Sequence, residues 1–189
     1  MWDTGLFLHL NFDGGAFLDS LMSIFSGKFT WAPLYIALLY VVWKRGGTRA
    51  LIIFFVSVVA AVVLSDIVAG IFKHSGPLKH LWSTFPVRLR PMYTPDLEGL
   101  VHVVGTGGAF GTVSAHAATT ASVATISIYN IRHKAVAICL ILWVLTVSYS
   151  RIYLGYHFPQ DILLGWITGI ACAAIVLFLA KFISSRSRS

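Results

Sequence analysis

Along this chain, apolar runs of near membrane-crossing length alternate with short polar breaks. The pattern predicts five helical segments at about 29–43, 49–72, 114–131, 134–149 and 158–182. A hydrocarbon core of about 30 Å needs about 20 residues of apolar helix, and fewer where interfacial aromatics share the ends, as Trp31 and Trp43 can. Residues 1–28 hold no such run. Between Ala16 and Phe25 the apolar positions Phe17, Leu18, Leu21, Met22 and Phe25 share one face, with Asp19 and Ser20 opposite. That spacing predicts an amphipathic helix over about 14–27 that lies in the membrane interface. The polar connection from Lys73 to Val113 carries Gly76-Pro77 and Arg90-Pro91, and only a turn at the latter is expected there. The expected fold class is an all-α integral membrane helical bundle, one domain over residues 1–189, with five transmembrane helices and one interfacial helix.

Composition sharpens this. The 189 residues are 57% hydrophobic and only 11% charged, with a mean hydropathy of +0.81. Soluble domains run at about 45–50% apolar and about 25% charged, so a soluble globular protein is excluded. Met1-Trp2-Asp3 does not read as the basic start of a cleaved signal peptide. Cys139 and Cys172 fall inside predicted spans and read as small apolar helix residues.

A net charge of +7 would fit a nucleic-acid partner, but its distribution does not. Lys44, Arg45 and Arg49 follow the first span, Arg132 and Lys134 the third, and Lys181, Arg186 and Arg188 the fifth. No acidic residue accompanies these eight cations, which marks their side as cytoplasmic. Five spans then place the N-terminus outside and the C-terminus in the cytoplasm. The charge is a topology signal, and no nucleic-acid partner is expected.

The residues with chemistry to offer collect on the outer side. In the stretch from Ser150 to Asp161, Arg151 is a permanent cation with a fork suited to phosphate. His157 and Asp161 are four residues apart, so on a helix they share a face, and the carboxylate can fix the imidazole tautomer. Together they read as phosphoryl chemistry at a membrane surface. A phosphomonoester carries close to two negative charges, and holding it away from bulk water takes several cations and backbone amides. Arg90, Arg151 and a lysine supply the charge. Gly105, Gly107, Gly108 and Gly111 do not form a P-loop, since no Gly-Lys-Ser/Thr follows, and they are expected to let the outer loop fold tightly beside the pocket. No carboxylate cluster has metal-ligand spacing, so neither metal nor cofactor is expected.

Three blocks, Arg88-Leu89-Arg90-Pro91, Ser114-Ala115-His116, and Ser150-Arg151 with His157 and Asp161, occur in an order that resembles the type 2 phosphatidic acid phosphatase (PAP2) superfamily. Membrane lipid phosphatases and vanadium haloperoxidases share that pattern. The resemblance covers residues 66–161. It implies that His157 attacks phosphorus and becomes a phosphohistidine, with Asp161 bonded to its other ring nitrogen. His116 would protonate the leaving oxygen and then help to activate water. Arg90, Arg151, Ser114 and a lysine would cradle the equatorial oxygens. The family lysine falls at Ser83 in this chain, which leaves Lys73 and Lys79 as the alternatives. A bell-shaped pH profile follows from one neutral and one protonated histidine.

The size, interfacial helix and span count resemble bacterial phosphatases of undecaprenyl diphosphate, which is the expected substrate. Lipid A 1-phosphate, phosphatidylglycerophosphate and phosphatidic acid are the alternatives. The expected setting is multi-pass in the bacterial inner (plasma) membrane, with the active site towards the periplasm or exterior and membrane lipids as surroundings. Oligomeric state is open. A haloperoxidase would use the same residues but is soluble in the family, and a transporter would place its ionisable groups nearer mid-membrane. Arg88 is expected to be solvated or to face headgroups, Asp66 to be a buried hydrogen-bonding residue, and His74, His80, His102 and His133 to be ordinary loop histidines.

Overall fold

The computed structural model describes residues 3–72 and 88–186, with side chains as far as residue 183. Among these residues the chain is helical: α1 (Thr4–Leu10), α2 (Gly15–Ser26), α3 (Ala32–Ile71), α4 (Ala115–Ile131), α5 (Lys134–Tyr153) and α6 (Pro159–Arg186). Two single-turn 3-10 helices, Pro91–Tyr93 and Pro95–Leu97, follow the Arg90-Pro91 turn. Leu89 pairs with Phe110 in one antiparallel bridge.

The first two predicted spans are the two arms of α3. Gly47, at φ 68° and ψ −169°, breaks the helix in a conformation that costs glycine little. Tyr35 near the start and Val62 near the end line the same cavity, so the arms run antiparallel. α3, α5 and α6 are long and apolar enough to cross a membrane. They turn Ile52, Val56, Ile138, Leu142, Ile167 and Phe178 outwards, as lipid-facing helices do. The predicted interfacial helix is α2, and α1 ahead of it was not expected.

α4 differs from a lipid-facing span for a physical reason. It has 17 residues, is rich in Ser and Thr, and ten of its residues are buried, so its surroundings are the other helices. Close approach to α6 is set by Gly165 and Gly169. A Cβ at Gly169 would lie 2.1 Å from the Ala118 carbonyl oxygen, and one at Gly165 would lie 2.7 Å from that of Ser114. Small residues four apart let two backbones touch in this way. Phe54, Ala61, Val123, Leu140 and Trp143 fill the core among α3, α4 and α5, and Trp143 meets Trp31 and Tyr35 edge-on at 5.9 Å.

Two ties orient the bundle. At one end Arg45 donates to the Ile131 carbonyl, joining the basic turn of α3 to the basic turn after α4. α4 runs about 25 Å from there to Ser114, so the basic turns and the Ser114 end lie at opposite ends of the bundle. At that other end Asn11 donates to the carbonyls of His102 (2.9 Å) and Tyr153 (2.7 Å), and its Oδ1 accepts from the His102 amide at 2.8 Å. One side chain thereby fixes the N-terminal segment, the loop before α4 and the end of α5 to one another.

Candidate functional site

The last turn of α5, the first turns of α4 and α6, and the loop around Arg90 meet at the Asn11 end. α5 stops at Leu154, and Gly155 (φ 78°) reverses the chain. The amides of Tyr156 and His157 both return to the Arg151 carbonyl, at 3.0 and 3.2 Å. His157 therefore precedes α6 and does not ride on it. Asp161, in the first turn of α6, accepts from the Phe158 amide at 3.1 Å and faces His157 Nδ1 at 3.3 Å, both through Oδ2. The expected pairing occurs, but as a helix cap and not along a helix face.

The same Nδ1 lies 3.1 Å from the Gly111 carbonyl oxygen. A carbonyl only accepts, so Nδ1 carries the proton and Nε2 keeps its lone pair. The imidazole is 3% exposed. Burial first, and then the charges of Arg151 and Arg90, hold it well below the ordinary histidine pKa. A neutral ring with a free Nε2 is the nucleophilic form. Activity that depends on it is expected to persist as pH falls below about 6.5 and to vanish only at lower pH, as the ring gains a proton. An acid limb of kcat/KM centred at or above pH 7 would contradict this environment.

Arg90, His116, Arg151 and His157 line one cavity of about 600 Å³. Trp31, Tyr35, Val62, Val123 and Val147 form its apolar part. The two guanidiniums are spread over the Tyr156 ring, with Arg151 at 4.0 Å and Arg90 at 5.7 Å from its centroid. Arg90 Nε donates to the Phe110 carbonyl at 3.2 Å, and Arg151 donates to Ser26 Oγ. The Arg151 Nε is buried without an acceptor among the described residues. Such a donor costs about 1–3 kcal/mol. The glycine-rich loop leaves room for this arrangement. A Cβ at Gly107 would lie 2.2 Å from Arg90 Nη1, and one at Gly111 would lie 2.8 Å from Arg90 Cγ.

Not every predicted residue reaches the cavity. Ser114 is fully buried as the N-cap of α4, with its Oγ accepting from the Ala117 amide at 3.4 Å and its own amide donating to the Asp161 carbonyl at 3.0 Å. Lys73, Lys79, His74 and His80 lie outside the described residues. Two expectations are corrected. Arg88 is neither solvated nor headgroup-facing, because it forms a buried ion pair with Asp3 at 2.8 Å. Asp66 is exposed and lines the cavity, where a buried hydrogen-bonding residue was expected. His102 does more than an ordinary loop residue, binding Asp19 of α2 at 2.8 Å. Lys28 and Ser26 also line the cavity. Both follow the amphipathic stretch, and nothing in their spacing signals that α2 closes one side of the site.

Residues 50–183 match the family described as the PAP2 superfamily. The chain belongs to the PAP2 superfamily. It is 32% identical over 190 residues to the lipid A 4'-phosphatase of Bacteroides thetaiotaomicron, covering 99% of this chain and 80% of that protein. To the undecaprenyl-diphosphatase of Sulfolobus acidocaldarius it is 26% identical over 172 residues, covering 89% of this chain and 73% of that one. Its fold is shared with the crystal structure of the first transmembrane PAP2 type phosphatidylglycerolphosphate phosphatase from Bacillus subtilis, at a TM-score of 0.64 and 19% identity, over 96% of this chain and 85% of that one. The protein is thus a membrane-embedded PAP2 phosphatase, and the three motif blocks converge in a PAP2 fold.

Proposed function

We propose that this PAP2 protein is a lipid phosphatase that removes a phosphate from lipid A or a closely similar glycolipid. The observation that carries the phosphatase chemistry is the neutral, buried His157, with a free Nε2 and two arginines on the wall of the same cavity. Nε2 attacks phosphorus, forming the N–P bond as the P–O bond to the lipid breaks. His116 gives its proton to the departing oxygen. Water, relieved of a proton by His116, then breaks the N–P bond and releases phosphate. Arg90 and Arg151 hold the equatorial oxygens, Asp161 keeps the His157 tautomer, and Ser114 fixes the first turn of α4 that carries His116. The apolar part of the cavity, from Trp31 to Val147, fits an acyl chain beside the reacting headgroup.

The undecaprenyl diphosphate expected from the sequence gives way to lipid A because the relative that matches nearly the whole chain at 32% identity bears the lipid A name. The test is phosphate release by the purified protein in detergent, with lipid A, undecaprenyl diphosphate, phosphatidylglycerophosphate and phosphatidic acid offered separately. Preference for lipid A, with the 1- and 4'-products distinguished by mass spectrometry, supports the proposal. Preference for undecaprenyl diphosphate would overturn it in favour of the polyprenyl carrier.

Lys28 is the lysine that this reading adds. Exposed and lining the cavity, it supplies a third cation at the entrance. Lys28→Ala is expected to raise KM roughly threefold to tenfold with kcat little changed, as a solvent-screened phosphate contact would. An unchanged KM would remove it from the substrate path. The site lies at the end of the bundle opposite the basic turns that Arg45 joins, and this cation bias supports an active site on the outer side of the membrane.

A further inference from the structure

We infer that Asp3 and Arg88 form a charged clamp that positions the Asp161 carboxylate and thereby sets the protonation of His157. The inference rests on the reading of His157 as the nucleophile. Arg88 grips Asp3 with both terminal nitrogens, at 2.8 and 2.9 Å. Its Nη1 also reaches Asp161 Oδ1 at 3.5 Å, and its guanidinium lies 3.7 Å from the Phe158 ring centroid. Asp3 is fully buried, and its Oδ2 accepts from the Gln160 amide at 3.2 Å. The N-terminal segment therefore caps the helix that carries Asp161.

The two oxygens of Asp161 are divided between two tasks. Oδ1 faces Arg88, while Oδ2 faces Phe158 N and His157 Nδ1. A carboxylate held at both oxygens cannot rotate away from the imidazole. Arg88 lies outside the cavity lining and is paired with a buried acid, so phosphate is not its ligand. Burial alone would raise the Asp3 pKa, but the hydrogen bond and charge of Arg88 outweigh it and leave Asp3 below the ordinary range. Asp3 is therefore held in its charged form beside the guanidinium.

His157 feels charge from every side. Arg151 of α5, Arg90 of the preceding loop and His116 of α4 oppose its protonation, while Asp161 of α6 favours it. Arg88 adds a positive charge behind Asp161, and Asp3 partly cancels it. Removing each partner should thus move His157 in opposite directions. Arg88→Gln leaves two uncompensated carboxylates and makes protonation easier, and Asp3→Asn leaves an uncompensated cation and makes it harder.

The test is a pH titration of the His157 imidazole by 15N NMR in detergent, assigned with His157→Gln, beside kcat/KM profiles on lipid A. Arg88→Gln is expected to raise the proton affinity of His157 about tenfold and move the acid limb up. Asp3→Asn should lower both, and Arg88→Lys should leave the titration in place while kcat/KM falls about tenfold. If Arg88→Gln does not fold, Asp3→Asn and Arg88→Lys decide alone. An unmoved titration in Arg88→Gln or Asp3→Asn, shifts of the same sign in those two charge-removing variants, or a shifted titration in Arg88→Lys would overturn the clamp. The NMR titration needs no substrate, so it tests the clamp even if lipid A is not turned over.

Discussion

Replacing His157 with alanine is expected to abolish phosphate release, by roughly 10⁴-fold or more, while the protein stays folded. In the proposed mechanism the imidazole supplies the attacking Nε2, and neither Arg90 nor Arg151 can take over, because a guanidinium keeps its proton. The fold survives because the neighbouring groups have other partners. Asp161 still accepts from the Phe158 amide and contacts Arg88, and its carbonyl still holds the Ser114 amide. Among the described residues, only the Gly111 carbonyl loses its donor, a cost of about 1 kcal/mol. Initial rates together with a thermal melt check both halves. A variant with a tenth of native activity would mean that another group attacks phosphorus.

The largest stability effect is expected at Gly169. Its Cβ would sit 2.1 Å from the Ala118 carbonyl oxygen and 3.0 Å from the Ala121 Cβ. The first neighbour is backbone of a buried helix, so no side-chain rotation relieves the contact. Gly169→Val must push α6 from α4, and α4 carries His116 while α6 carries Asp161. A loss of about 3 kcal/mol or more is expected, seen as a melting midpoint several degrees lower in detergent, with activity falling in step. Gly70→Ala is the control, since a Cβ there meets nothing within 4 Å. Equal melting of the two variants would show that the α4–α6 contact is looser than described.

The legible and illegible parts of the chain divide on physical lines. Apolar runs reveal α3, α5 and α6, because lipid contact demands apolar residues at every outward position. The break at Gly47 lies within the expected polar gap between the first two spans. α4 is legible as a helix, but its interior place is not, since Ser122 and Ser127 are buried there against helices. His157, Asp161, Arg151, Arg90 and His116 are legible because their spacing survives in sequence, and they do converge. Arg88 misleads because its partner Asp3 lies 85 positions away, and no local pattern announces such a pair. Lys28 escapes notice for the same reason, since the cavity it enters is closed by α3 and α4.

If His157 carries the phosphoryl group between the two half-reactions, it can be caught there. The protein would be incubated briefly with radiolabelled lipid A phosphate, quenched in alkali, which preserves phosphohistidine, and digested for mass spectrometry. A phosphoryl group on His157, absent from His157→Ala and discharged on further incubation, is the expected result. Rapid turnover with no label on His157, or label on another residue, would contradict it.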